Sequence, residues 1–377
     1  MWVQEASCEE VIKEAWEDTR GSGSNVTTCI AHCADFLTSW NRQHFGNIQK
    51  NLQIAHAKLC KLQNGKYEQV WVSRKREVER KINNLLEVEE TMWQQRSRVT
   101  WLNKDNRNTK FFHEKAKSRG RNNTIRRLFD DSNVWQLASD NIGSMFCNYF
   151  NGLFTQTGGQ DMELVMAAIT PCVTMNMNEI LLRPFNRSEL KQALGQMYPT
   201  KAPGIDGMPA LFYQRYWHIV GDSVSDACLR ILNGEGSVRD FNHTLIALIP
   251  KIAQPTRVTD FRPISLCTVL YKMITKSFAN RLKMVLSEVI SESQSAFVPG
   301  RHIIDNVMSA FEVVHHMKGP RSGSGVKMAL KLDMAKGYDI VDWCFVEAMM
   351  QRLGFAESWR DLQGSFNELN NWVISEA

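Results

Sequence analysis

The sequence predicts an α+β fold in which helices dominate the first half and short strands enter the second half. Apolar residues recur at three- and four-residue intervals through residues 48–92 and again through 270–289, which is the spacing of amphipathic helices. Residues 245–249 and 261–266 are short apolar runs near turn residues, and residues 326–333 alternate between apolar and polar side chains. These three segments are therefore predicted to be strands.

Composition and charge limit the classes of function. The chain has 377 residues, of which 43% are hydrophobic, so it can bury a sizeable core and is not expected to be disordered throughout. No apolar run reaches the roughly 18 residues that span a membrane, and no secretory signal is expected at the N-terminus. Nine scattered cysteines favour a reducing compartment, which we take to be the nucleus or the cytoplasm.

The N-terminal region divides into two predicted segments. Residues 1–45 are expected to be irregular, since they contain a flexible Gly-Ser-Gly-Ser break. Residues 46–95 are expected to form an antiparallel helical hairpin. One apolar stripe runs through 48–62, Gly65 interrupts it, and a second stripe runs through 78–92. Packing accounts for these stripes, so no binding site is expected in the hairpin.

Residues 96–185 are predicted to form a basic linker with additional helices. Its first part, residues 96–127, holds eleven basic and two acidic residues, a net charge of +9, although the whole chain carries only +5. Basic groups neutralise phosphates and aromatic rings stack on unpaired bases, so this stretch is a candidate nucleic-acid contact. A solvated helix surface is the alternative. The candidate contact residues are Arg107, Lys110, Phe111, Phe112, Lys115, Lys117, Arg119, Arg121, Arg126 and Arg127.

The region after residue 185 changes in character. Asn186 and Glu189 have the spacing of a capping box and predict a helix start. Residues 201–207 form a loop rich in turn residues, and the two apolar runs that follow are predicted to pair as a long-looped hairpin. One long amphipathic helix is expected from Leu270 to Val289.

The alternating segment 326–333 has an aspartate at its C-terminal end. Its apolar face is expected to pack on helices, and its polar face would present Asp333 to an open cleft. A carboxylate in that place can bind Mg²⁺, although such an aspartate more often caps a turn. A helix that begins at Cys344 and ends at Gly354 is expected next.

The segment Lys331–Asp339 resembles the first catalytic motif of reverse transcriptases of plant LINE-type (non-LTR) retrotransposons. The other blocks of the family occur in the family's order, and the resemblance covers about residues 96–356. Residues 106–113 resemble the linker before the polymerase, 201–207 the loop ahead of the fingers, 248–251 and 261–266 the two fingers strands, and 294–301 the next fingers block.

The resemblance implies an incomplete right-hand polymerase, with fingers at residues 186–310 and the first palm strand and helix at residues 311–377. It implies that the intact parent adds dNTPs to a DNA primer on an RNA template, with two Mg²⁺ ions at the active site. Asp333 would be the catalytic carboxylate and a metal ligand, and the backbone carbonyl of Met334 would be a further ligand.

Four other residues match positions that bind substrate in the family. Lys251 and Arg262 would grip the triphosphate, although both could simply be cations at strand ends. Tyr338 would crowd the sugar of the incoming nucleotide, unless it only packs. Arg301 would contact the template or the nucleotide.

The sequence departs from the family in one important respect. A second motif, an aromatic-x-Asp-Asp turn, completes the carboxylate cluster in the family, and no such turn follows Asp333. We therefore expect this chain to be inactive alone. A nucleic-acid-binding protein without catalysis is the alternative function, and a helical scaffold for protein partners is a weaker one.

Overall fold

The structure is a computed structural model, and helices account for most of it. Two small sheets complete the architecture, which agrees with the expected α+β class. The residues that the structure describes are 2–20, 25–64, 71–97, 99, 109–155, 162–318, 328–330, 332, 341–367 and 372–374.

The N-terminal segment is helical, so the prediction that residues 1–45 are irregular was wrong. A short 3-10 turn precedes helices α1 (Ala6–Arg20) and α2 (Val26–His44), and these two helices pack against each other. The buried stripe of α1 includes Cys8, Ile12 and Trp16. Cysteine, alanine and threonine occupy much of the buried face of the two helices, which conceals the helical period in the sequence.

The expected helical hairpin is present. Helix α3 (Ile48–Gln63) is followed by α4 (Trp71–Ser97), and the indole of Trp71 donates a hydrogen bond to the carbonyl of Leu62. The beginning of α4 therefore lies beside the end of α3, which makes the pair antiparallel. Its small core consists of residues on the two predicted stripes, namely Ile48, Leu52, Ala55, Val78 and Ile82.

The basic linker continues as a helix, a small hairpin and three more helices. The elements are α5 (Thr109–Asn123), β1 (Leu128–Phe129), β2 (Trp135–Gln136), α6 (Ser139–Phe154), α7 (Met162–Ala167) and α8 (Met175–Leu182). Strands β1 and β2 pair antiparallel, with Phe129 opposite Trp135.

The next region contains the second sheet and its surrounding helices. Its elements are α9 (Arg187–Gly195), α10 (Ala210–Arg215), α11 (Trp217–Leu232), β3 (Thr244–Pro250), β4 (Phe261–Leu266), α12 (Val269–Leu282), α13 (Leu286–Val289) and α14 (Ile303–Lys318). The predicted capping box opens α9: the Asn186 side chain accepts from the Glu189 amide, and the Glu189 carboxylate accepts from the Asn186 amide.

The expected single helix over residues 270–289 is instead two helices. Helix α12 ends at Leu282, and α13 begins at Leu286 after a turn. The turn buries Val285, which is 2% exposed, and contains no glycine or proline. The continuous apolar stripe of the sequence therefore conceals the break.

The C-terminal region differs from the predicted palm strand. Met328, Leu330 and Leu332 lie in no strand and are 82%, 72% and 82% exposed, whereas we expected them to pack on helices. Helices α15 (Trp343–Leu353) and α16 (Glu357–Asn367) follow, and then β5 (Trp372–Ile374). Helix α15 ends at Gly354 as expected, in a left-handed conformation with φ +98°, but its N-cap is Asp342.

Three of the strands form one sheet, in the order β4-β3-β5. Strands β3 and β4 pair antiparallel with Ile249 opposite Arg262, and β5 pairs parallel with β3. Strand β4 lies at an edge of the sheet, where Pro263 is tolerated because its nitrogen faces the open side and no described strand there needs an N–H donor. The hairpin predicted from the two apolar runs is thus confirmed.

The largest core cluster joins segments that are far apart in the sequence. Apolar residues of α1 and α2 pack with those of α8 to α12 and with Phe355 and Trp359 near the C-terminus. Trp359 stacks on Phe278 with ring centres 4.1 Å apart. The N-terminal helices are therefore part of the same core as the predicted fingers.

A buried arginine ties three of these helices together. Arg281 of α12 is 5% exposed, and its guanidinium donates to both carboxylate oxygens of Glu189 at 2.8 Å. It also donates to the carbonyls of Leu181, Arg183 and Pro184 and lies 3.4 Å from the centre of the Phe185 ring. The buried guanidinium is thus paired with a carboxylate and hydrogen-bonded to nearby carbonyls, which offsets the cost of removing its charge from water.

No helix within the described ranges is both long enough and apolar enough to cross a lipid bilayer.

Candidate nucleotide and nucleic-acid site

The β3–β4 hairpin places two predicted cations on one face. Side chains alternate along a strand, and Arg262 lies opposite Ile249, two residues before Lys251. The Lys251 amide donates to the Asp260 carbonyl at 2.7 Å, so Lys251 lies opposite Asp260 and the strand register continues past the last paired residues of the sheet. Lys251 and Arg262 are therefore diagonal neighbours, roughly 7–8 Å apart at their backbones. Both side chains are exposed.

The loop that joins these strands is held by local hydrogen bonds. The Asp260 carboxylate accepts from the amides of Thr256 and Arg257 at 2.8 and 2.9 Å. These bonds stabilise the charged form and lower the pKa of Asp260, chiefly through the Thr256 amide. The Lys251 ammonium donates to the Thr259 carbonyl at 2.8 Å. The carbonyl of Thr259 thus holds the Lys251 side chain against the loop.

The inner face of the hairpin is covered by the linker. Ile246, Leu248 and Phe261 pack with Leu128 of β1 and with Phe146 of α6. The rings of Phe146 and Phe261 meet edge to face with centres 5.3 Å apart. This shared core fixes the basic linker to the two cations of the hairpin.

The basic helix α5 presents one charged face and buries the other. Lys110, Lys117 and Arg121 are spaced by seven and four residues, so they share a face, and all three are exposed. Phe112 lies on the opposite face and is 2% exposed. We expected Phe112 to contact nucleic acid, but its burial makes it a packing residue in this structure. Phe111 is half-buried beside Phe112.

The remaining predicted contacts of the linker differ in what they do. The Arg119 guanidinium donates to the Ser97 carbonyl at 3.2 Å and so fastens α5 to the end of α4. Lys115 lies over the Phe111 ring. Arg126 and Arg127 are exposed beside β1. No ion pair between described residues involves a predicted cation of the linker, nor Lys251 or Arg262.

The loop at residues 201–207 lies against the junction between β4 and α12. A Cβ atom on Gly204 would lie 2.6 Å from the Thr268 amide nitrogen, so only glycine allows this approach. Gly207 has φ +69°, a left-handed turn conformation that also favours glycine. Burial raises the pKa of Asp206, while the Met208 amide and Lys272 oppose that rise. The loop therefore braces the hairpin from its carboxyl end.

Arg301 is engaged inside its own loop. Its guanidinium donates to the carbonyls of Ser287, Ile290 and Gln294 at 2.8–3.0 Å and also to that of Ser291. Four of its five N–H donors are thus used. We expected Arg301 to contact template or nucleotide, and in this structure it holds the loop after α13.

Four predicted site residues lie outside the described residues: Arg107, Asp333, Met334 and Tyr338. The structure therefore gives no geometry for the expected metal site. Among the residues it does describe, no group of three His, Cys, Asp or Glu side chains is arranged to hold a metal ion.

Arg257 lies near the site, although no sequence pattern marked it as a functional residue. Its guanidinium donates to the Asn133 side chain at 2.7 Å, across 124 residues of sequence. Trp135, which lies two residues after that asparagine at the start of β2, was also not singled out. A loop arginine and a lone tryptophan carry no periodic signal, so only the tertiary contact reveals them.

Two comparisons with known proteins find similar sequences. Residues 249–372, which include the two hairpin cations, match the family described as reverse transcriptase (RNA-dependent DNA polymerase). The chain is 29% identical over 261 residues to the transposon TX1 uncharacterized 149 kDa protein of Xenopus laevis, an alignment that covers 69% of this chain and 20% of that protein. The chain thus spans about a fifth of the length of this curated relative. The chain is thus similar to reverse transcriptases over residues 249–372 and to part of a transposon protein over about two thirds of its own length.

Proposed function

We propose that this chain supplies the linker and fingers of an enzyme that adds dNTPs to a DNA primer on an RNA template. The observation that carries this proposal is the pair Lys251 and Arg262. Both cations are exposed on one face of a hairpin, neither belongs to an ion pair among the described residues, and both lie in the region that matches reverse transcriptases. Exposed cations that have no ion-pair partner among the described residues suit the triphosphate of a nucleotide.

The linker then binds the template and primer. The exposed face of α5 carries Lys110, Lys117 and Arg121, and Arg126 and Arg127 follow it. A helix face with this charge neutralises backbone phosphates without reading sequence. The shared core of the linker and the hairpin favours one bound nucleic acid that contacts both.

Magnesium is the expected metal. The Asp333 carboxylate and the Met334 carbonyl are oxygen donors, the type that Mg²⁺ prefers, and Tyr338 would lie beside the sugar. When bound, such ions activate the primer 3′-hydroxyl and stabilise the triphosphate. One carboxylate does not complete a two-ion site, so we expect no catalysis by this chain alone. The motif blocks at residues 201–207, 248–251, 261–266, 294–301 and 331–339 support a plant LINE-type origin. The nine free cysteines support a reducing compartment, the nucleus or the cytoplasm.

Binding of a labelled RNA–DNA template–primer, measured by fluorescence anisotropy, tests the proposal. Affinity should fall steeply with salt, and Mg²⁺ with the next complementary dNTP should strengthen it. Lys251→Gln and Arg262→Gln should remove the dNTP effect and leave binding of the template–primer itself nearly unchanged. Lys283→Gln, an exposed cation of the same region, is the control.

The second candidate, nucleic-acid binding without a nucleotide site, makes a different prediction. It is favoured by the exposed cations Lys110, Lys117 and Arg121 of α5, which form no ion pair with another described residue and need no active site. In that case the dNTP has no effect on wild-type binding, and the Lys251 and Arg262 variants behave as the control does. Primer extension that disappears in Asp333→Asn would instead show that the chain is active alone.

A further inference from the structure

The small β1–β2 hairpin carries a stack of three side chains. The rings of Phe129 and Trp135, which are a cross-strand pair, stack with centres 3.7 Å apart. The guanidinium carbon of Arg127, two residues before Phe129, lies 4.3 Å from the centre of the Trp135 ring. The phenyl ring and the guanidinium therefore both lie against the indole, and Arg127 is exposed to solvent.

This hairpin is fixed to the loop between β3 and β4. The Phe129 amide donates to the Thr256 carbonyl at 2.8 Å, and the Arg257 guanidinium donates to the Asn133 side chain at 2.7 Å. Asn133 has φ +58°, so the hairpin turn holds a left-handed conformation at the residue that receives Arg257. Arg127 lies two residues before Phe129 and Arg257 directly follows Thr256, so these bonds bring the two arginines onto neighbouring segments.

The carboxylates of Asp130 and Asp260 are engaged by local hydrogen bonds. Asp130 accepts from the amides of Ser132 and Val134 and from the Gln136 side chain, and Asp260 accepts from two loop amides. These bonds lower the pKa of both carboxyls, so both are ionised at neutral pH. Neither Arg127 nor Arg257 joins an ion pair with another described residue.

We propose that this surface binds a single-stranded segment of the template next to the fingers. Arg127, supported by Trp135, stacks on an unpaired base through the outer side of its guanidinium, and Arg257 contacts a phosphate of the same strand. Unpaired bases stack on arginine planes as well as on aromatic rings, whereas a paired base in a duplex is covered by its neighbours. The inference rests on the proposed function, since it assigns a subsite to the same nucleic acid.

Two substrates and three variants test this subsite. Anisotropy is measured for a template–primer with a single-stranded template overhang of about ten nucleotides and for the same duplex with a blunt end. The variants are Arg127→Lys, Arg257→Gln and the control Arg42→Gln, which removes an exposed cation of α2. Each affinity is measured over a range of salt concentrations.

The two variants should change different properties of binding. Arg127→Lys keeps the charge but loses the plane, so overhang affinity should fall about tenfold with little change in salt dependence or in blunt-duplex binding. Arg257→Gln should reduce the salt slope for the overhang by about 0.7. Arg42→Gln should change neither quantity.

The outcomes separate the two proposals. If wild type binds both substrates with steep salt dependence but Arg127→Lys binds the overhang normally, the subsite is wrong and the proposed function stands. An equal loss of affinity for both substrates would also overturn the subsite. If the surface serves only a protein partner, the variants will bind the overhang as wild type does, and that result overturns the subsite as well. If wild type binds neither substrate at low salt, the proposed function fails, and the subsite fails with it.

Discussion

Replacing Arg281 with methionine should destabilise the chain strongly, because this guanidinium joins α8, α9 and α12. It makes a bidentate pair with Glu189 at 2.8 Å and covers three backbone carbonyls that precede α9. Methionine fills much of the same space but donates nothing. The Glu189 carboxylate is then left partly buried without its cation, and the carbonyls lose their donors.

The magnitude follows from burial. Removing one partner of a buried ion pair costs about 3–5 kcal/mol. The Arg281 side chain is 4% exposed, but that of Glu189 is 28% exposed and still accepts from the Asn186 amide at 3.0 Å. Water can therefore reach the abandoned carboxylate, and we expect a loss near the lower limit, about 3 kcal/mol.

Urea unfolding followed by far-ultraviolet circular dichroism measures this loss. The matched control is Arg187→Met, which removes another arginine that binds two carboxylates, those of Asp222 and Asp226, in an exposed pair. Exposed pairs contribute little, so the control should shift the midpoint much less. The double variant Arg281→Met with Glu189→Met should lose less than the sum of the two single variants.

Two results would refute this reasoning. One is a midpoint for Arg281→Met no lower than that for Arg187→Met, which would mean that burial of the guanidinium does not matter. The other is strict additivity in the double variant, which would mean that Arg281 and Glu189 do not stabilise each other in the folded chain.

Further predictions concern the loop, the pH dependence and the thiols. Gly204→Ala should destabilise the chain by about 1–3 kcal/mol because its Cβ meets the Thr268 backbone. The control Gly143→Ala, in a helix with open space around it, should stabilise the chain slightly. Thermal unfolding measures both changes. The pKa of Asp260 is lower in the folded chain than its unfolded value of about 3.9, so its charge stabilises the fold above that pH. The difference in unfolding free energy between wild type and Asp260→Asn should therefore shrink as the pH falls below about 4, as measured by urea titration. Burial raises the pKa of Cys228 to about 12, so at about pH 8 a thiol reagent should modify it only after unfolding, with exposed thiols reacting first. The exposed thiols are Cys60, Cys147 and Cys344.

Local sequence patterns predicted several elements of the fold correctly. The two apolar runs predicted the β3–β4 hairpin, and the Asn186–Glu189 spacing predicted the start of α9, because each depends on neighbouring residues alone. The register that places Lys251 and Arg262 on one face comes from the structure and was not predicted. The helices of residues 1–45 were missed because small and polar residues occupy part of their buried face.

Tertiary contacts could not be read from the pattern. A single sequence gives Arg281 the appearance of a surface residue, and nothing near it in the chain indicates that Glu189 lies 2.8 Å away. Phe111 and Phe112 are adjacent and alike, yet only the packing of α5 decides which one is buried. The contact between Arg257 and Asn133 likewise depends on how the two hairpins meet.

The core that joins α1 and α2 to α11 has a consequence for synthesis. About 190 residues separate the end of α2 from the end of α11, so the N-terminal pair leaves the ribosome long before its partner. At roughly 5–20 residues per second, the apolar side chains of that pair wait about 10–40 s for cover. During this interval they are a natural target for chaperones, and the closing of this core should be among the last steps of folding.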